Sequence, residues 1–208
     1  MIGCIGEQNV DMLDFDRTVC EHLSSGTELE YGIVEGSATI VLIKSGRGGT
    51  ARGEEDKYVR MARRLSFAHG CSVICSPNPA DCATHEVDRR VIERYVSQKE
   101  LADFSLSLIG SSNGAYQNLF LAERMPKTKA ILCINMPLMV NYHRTASLLE
   151  GLDQVEKTLV YGTRDPSCPY LRFLENRRLP ACRFLRIDGA DHCFTGQTEH
   201  FVSLADYL

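Results

Sequence analysis

The chain has 208 residues, enough for one domain with a substantial core. Apolar residues make up 44% and charged residues 24%, a balance that excludes a disordered or fibrous chain. The net charge of −4 argues against a dedicated nucleic-acid binder, and no apolar run approaches the ~20 residues that span a bilayer.

The opening segment, MIGCIGEQNVDMLDFD, is acidic and lacks the basic start and apolar stretch of a signal peptide, so a cytoplasmic location is expected. Residues 1–27 form an atypical N-terminal segment with a weak helical pattern over 9–23. TELEYGIV (27–34) alternates and predicts a strand, and ATIVLIK (38–44) is the β-branched run of a strand buried on both faces. Residues 54–68 open with three acids and continue with Tyr58, Met61, Ala62 and Leu65 at helical spacing, before Gly70 supplies a stop. CSVIC (71–75) is a third strand, and Val87, Val91 and Tyr95 mark one face of the next helix. FSLSLIG (104–110) then precedes a helix marked by Ala115, Leu119 and Ala122. Strands at AILCIN (130–135), TLVYG (158–162) and RFLRID (183–188) complete a set of seven, with weaker helical patterns over 141–154, 169–177 and 197–207. Strands alternating with helices predict an α/β fold: a mostly parallel sheet of about seven strands with helices on both faces, forming one domain over 1–208. Ligands of such sheets sit at the carboxyl ends of the strands, so the loops there are where chemistry is expected.

Nine cysteines are an odd number, and several lie inside apolar runs, where a free thiol behaves as a small hydrophobe. A chain of this length folds without disulfides, so reduced thiols are expected. Cys82-Ala-Thr-His85 and His192-Cys193 are the close Cys/His pairs, and neither has the paired C-x-x-C spacing of a structural zinc site. No metal site is assigned.

Three strand ends carry a pattern with chemical meaning. Gly110-Ser111-Ser112-Asn113-Gly114 is G-x-S-x-G between a strand and a helix, a nucleophile elbow that needs small flanking residues and presents Ser112 at the helix N-terminus. A serine nucleophile needs a base, and the base needs an orienting acid. Asp165 lies in the loop after 158–162 and His192 in the loop after 183–188, at the same edge of the sheet and in the order Ser, Asp, His. Asp188 and Asp191 flank His192 as alternative acids; Asp188 is expected to end a strand and Asp191 to make a turn contact. His143, after strand 130–135, is the other histidine placed near this edge, and Asn135 excludes an acid one strand earlier.

The sequence resembles the α/β-hydrolase superfamily from about residue 28 to the C-terminus, on IVLIKSGRGG, GSSNGA, YGTRDPSCP and DGADHCF. The resemblance implies Ser112 as nucleophile, Asp165 as acid and His192 as base. It also implies an oxyanion hole of backbone N–H groups from Asn113 and from Gly46 or Arg47. The chain departs from the family in carrying Ser45-Gly46 where His-Gly is usual, and its first 27 residues do not look like the family's opening β-hairpin. Residues 136–157 leave room for one helix and two loops but not for a cap domain, so an open site is expected.

Gly46-Arg47-Gly48-Gly49-Thr50-Ala51 also fits a dinucleotide fingerprint, but the next strand ends in Ser76-Pro77-Asn78 with no carboxylate for a ribose. Met136, Pro137, Leu138 and Met139 are expected to line an apolar wall of the substrate site, and Arg164 with Arg47 to favour an anionic substrate if the two converge. The function that follows is a serine hydrolase cleaving a small ester or thioester through an acyl-enzyme. Its partner is a small-molecule acyl substrate, with no cofactor, no nucleic acid and no membrane. The alternative is a non-catalytic ligand-binding or interaction protein on the same fold. A thioesterase, a peptidase and a carboxylesterase share these residues.

Overall fold

The computed structural model describes residues 14–208. Eight strands make one sheet: β1 Arg17–His22, β2 Glu28–Val34, β3 Ser37–Lys44, β4 Cys71–Ser76, β5 Ser105–Ser111, β6 Thr128–Ile134, β7 Glu156–Gly162 and β8 Cys182–Ile187. Their order is β1-β2-β4-β3-β5-β6-β7-β8, with β1 and β2 antiparallel and every pairing from β4 to β8 parallel. The helices are α1 Lys57–His69, α2 His85–Gln98, α3 Asn113–Arg124, α4 Leu138–Gly151, α5 Leu171–Glu175 and α6 Thr198–Ser203.

Period-two alternation in the central strands fills both sides of the sheet. Ile40 and Leu42 of β3 face the core under α2, α3 and α4, whereas Val41 and Ile43 face the core under α1 and α6. Each such side chain contributes about 1.5–3 kcal/mol on burial. This two-sided demand is why β3 and β4 read as unbroken apolar runs. Among the described residues no helix is long and apolar enough to cross a membrane, and the described cysteines are all free.

The N-terminal expectation is corrected. Of the segment expected as a helix over 9–23, residues 9–13 lie outside the described residues and Arg17–His22 is a strand. It pairs with β2 across a turn in which Gly26 takes φ 86°, so an opening hairpin is present and the sheet has eight strands rather than seven. The physical reason is position: β1 is an edge strand with an alternately half-buried and exposed pattern, so its side chains carry little apolar signal. The gap after β6 holds α4 alone, as expected for a chain without a cap there.

Candidate active site

β5 ends at Ser111 and α3 begins at Asn113, so the chain reverses on Ser112 alone, at φ 52° and ψ −124°. For a non-glycine residue that conformation stores about 1–3 kcal/mol of strain. A Cβ on Gly110 would overlap the backbone of Ala115, and one on Gly114 would overlap the carbonyls of Lys44 and Ser45. The motif's glycines are therefore required by the close approach of strand, helix and β3. The Ser112 N–H donates to Ile134 O at 2.8 Å, fixing the turn to β6. The Asn113 N–H belongs to the first helical turn, whose amides have no intrahelical partner.

His192 joins the two other predicted residues. Its Nε2 lies 2.9 Å from Ser112 Oγ, and its Nδ1 is bonded to Asp165 Oδ2. Asp165 is buried, with its side chain 1% exposed, and its Oδ1 accepts the Ser167 N–H at 2.6 Å. The bond to Asp165 holds the imidazole above its ordinary pKa, against burial and the Lys57 charge, which pull it down. The alternative acids are occupied elsewhere: Asp191 Oδ1 accepts the N–H groups of Cys193 and Thr195 at 3.0 and 2.9 Å, and Asp188 accepts the Thr163 hydroxyl at 3.3 Å.

Asn135 positions the histidine loop. It takes φ 47°; its Nδ2 donates to Asp191 O at 3.0 Å and to His192 O at 2.9 Å, while its Oδ1 accepts the Gly162 N–H at 2.9 Å. Two carbonyls face the amide nitrogen, so a carboxylate here would meet acceptors where it needs donors.

The loop 45–49 is tied to the strand next to it. Gly48 N–H donates to Asn78 O at 2.6 Å, Asn78 N–H to Gly49 O at 2.9 Å, and Asn78 Nδ2 to Ser45 O at 3.0 Å. Gln117 Nε2 bridges Asn78 Oδ1 and Asn113 Oδ1 at 2.7 and 2.9 Å. The Gly46 amide faces the Tyr58 hydroxyl, whose pKa burial pushes up to about 12. Beneath lies a fully buried Lys44, whose Nζ pairs with Asp88 at 2.7 Å and donates to Ser76, Pro77 O and Thr84. A cavity of about 480 Å³ opens at Ser112 and His192, bordered by Arg47, Glu54, Lys57 and Cys193.

Other expected site residues lie elsewhere. Met136 is fully buried in the core, where its carbonyl accepts the Tyr161 hydroxyl at 2.7 Å, so it forms no wall of this cavity. Arg164 is exposed, reaches Gly189 O at 3.5 Å and borders none of the cavity at Ser112, so it does not converge with Arg47, whose Nε donates to Ala80 O at 2.8 Å. His143 is exposed and also outside that cavity. Sequence reasoning missed Asn78, Gln117 and the positioning role of Asn135, since single polar residues at strand ends and in helices carry no spacing signature.

No protein-family model matches the chain, and no curated protein matches it by sequence. Solved structures do match. Est1E from Butyrivibrio proteoclasticus has a TM-score of 0.70 at 13% identity, over 91% of this chain and 96% of its own. An esterase domain from a Rhodothermus marinus protein gives 0.69 at 16%, over 92% and 95%. An alpha-beta serine hydrolase homologue from Coxiella burnetii gives 0.69 at 19%, over 93% and 98%. With these structures matched over nearly their whole length, and with its strand order and crossovers, the chain has the α/β-hydrolase fold.

Proposed function

We propose that the protein is a serine hydrolase that cleaves small ester-type acyl substrates, esters or thioesters, through a covalent acyl-enzyme. The observation that carries this reading is one imidazole bonded on one side to an elbow serine at 2.9 Å and on the other to a buried carboxylate. His192 takes the proton as Ser112 Oγ attacks the carbonyl carbon, and Asp165 fixes the imidazole tautomer and stabilises the imidazolium. The developing oxyanion is received by the Asn113 N–H and, because the Gly46 amide faces Tyr58, by the Arg47 N–H. His192 then returns the proton to the leaving group, and water repeats the sequence on the acyl-enzyme, which requires no further group.

The test is labelling with a fluorophosphonate probe together with turnover of short-chain p-nitrophenyl esters. Wild-type protein takes the label and releases nitrophenol; Ser112→Ala and His192→Ala lose turnover. Label that persists in Ser112→Ala removes Ser112 from the role.

A further inference from the structure

A second cavity, of about 470 Å³, lies beside the first, between the 79–85 segment, α3 and α4. Asn113, the residue after Ser112, borders it, and Arg47 borders both cavities, so the two are neighbours across Arg47. Its wall is aromatic. Phe120 packs edge-on against Tyr116 at 5.1 Å and faces the His85 ring at 5.5 Å. Over Phe120, at 4.7 Å from its centroid, sits the Arg144 guanidinium. Stacking occupies the face of a guanidinium and leaves its N–H edge for an oxyanion.

The charges in this cavity do not cancel. Arg124 is matched by Glu86 at 2.5 Å. Among the described residues neither Arg47 nor Arg144 meets a carboxylate: Arg47 bonds to Ala80 O, and Arg144 stacks on Phe120. Asp81 is the acid bordering the cavity. Two unmatched guanidiniums against one carboxylate leave a single positive charge in excess. In the first cavity Lys57 and Glu54 offset each other. A protein of net charge −4 thus keeps a local positive excess next to its candidate nucleophile.

We propose that this second cavity anchors a carboxylate carried by the substrate, with the carboxylate oxygens on Arg144 and Arg47 and the adjoining ring or chain laid on Phe120 and Tyr116. The cavity falls within the ~300–1,000 Å³ of small-molecule sites. One excess charge matches a monoanion, which favours a carboxylate over a phosphate dianion. The inference rests on Ser112 being the nucleophile of the proposed hydrolase and narrows its substrate to acidic esters.

The experiment uses two pairs of esters. One pair puts the charge on the acyl half, p-nitrophenyl hemisuccinate against p-nitrophenyl butyrate. The other puts it on the leaving group, 4-acetoxybenzoate against its methyl ester. In at least one pair the acid is preferred in kcat/KM by about 10-fold or more, the effect of a charge-assisted hydrogen bond, and the preference resides in KM. In Arg144→Gln that preference collapses, and in Arg144→Lys, which keeps the charge without the fork, it is partly restored. Circular dichroism checks that both variants fold. No preference in either pair, or one indifferent to Arg144→Gln, overturns the inference. In parallel, benzoate and inorganic phosphate are titrated into Ser112→Ala protein by calorimetry. Benzoate binds more tightly than phosphate and weakens when Arg144→Gln is added; tighter phosphate binding overturns the assignment to a carboxylate. The two readings separate cleanly. Neutral-ester turnover lost in Ser112→Ala without any acid preference leaves the hydrolase and removes the anchor. Arg144-dependent benzoate binding in a protein that hydrolyses no ester does the reverse.

Discussion

His192 sits between two opposing influences. The Asp165 bond favours the charged imidazolium, while burial and Lys57 favour the neutral ring, and the balance lies above the ordinary value of 6.5. A general base must be neutral to accept the serine proton, so the proposed activity is expected above the His192 pKa and to be lost as pH falls through it. The kcat/KM of a short-chain ester is expected to show an acid limb centred above pH 6.5. Asp165→Asn removes the stabilisation of the imidazolium, so the limb moves to lower pH and the plateau drops by about 10,000-fold. An acid limb in the wild type below that of free imidazole would contradict the assignment. At this scale the contact of Ser112, His192 and Asp165 was legible because three residue types stood in the loops after three recognisable strands. Asn135 was legible only as a missing carboxylate; that its amide clasps the histidine loop depends on two carbonyls 56 and 57 residues away in sequence.

The turn at Ser112 is an element under strain. Ser112 at φ 52° lies where an L-residue is disfavoured. Ser112→Gly should release about 1–3 kcal/mol of that strain, offset by the ~0.5–1 kcal/mol that glycine loses on ordering. The expected result is an inactive protein with a melting temperature equal to or above that of the wild type; a clear loss of stability would show that the elbow is unstrained. The elements themselves were read well where they are buried on both faces, as in β3, β4 and β5. The reading failed at β1, where an edge strand needs little apolar sequence and its pairing with β2 supplies the order. The acids Glu54, Glu55 and Asp56, expected to open a helix, form a separate 3₁₀ turn in which Glu55 and Asp56 take positive φ, and the helix starts at Lys57.

Across the whole molecule, one ion pair ties the sheet to the helical layer beneath the loop 45–49. Lys44 of β3 and Asp88 of α2 are both fully buried, and Asp88 also accepts the hydroxyls of Tyr31 and Ser76 at 2.9 and 2.6 Å. Burial pulls the Lys44 pKa down while Asp88 holds it up. Breaking such a pair leaves an uncompensated buried charge, so Lys44→Met should cost about 3–5 kcal/mol in denaturant unfolding. Adding Asp88→Asn to that variant should recover part of the loss, because the orphaned charge is gone; no recovery would mean that Lys44 acts through packing alone. Alternation along the chain determined the layered α/β architecture, the parallel crossovers and the edge where chemistry belongs, because burial on two faces forces apolar runs and short loops at strand ends. The tertiary structure alone decided which arginine borders the cavity at Ser112, which polar side chains hold the loop 45–49, and that Met136 belongs to the core. Those outcomes depend on contacts between residues distant in sequence, where the direction of each side chain is set by packing rather than by its neighbours along the chain.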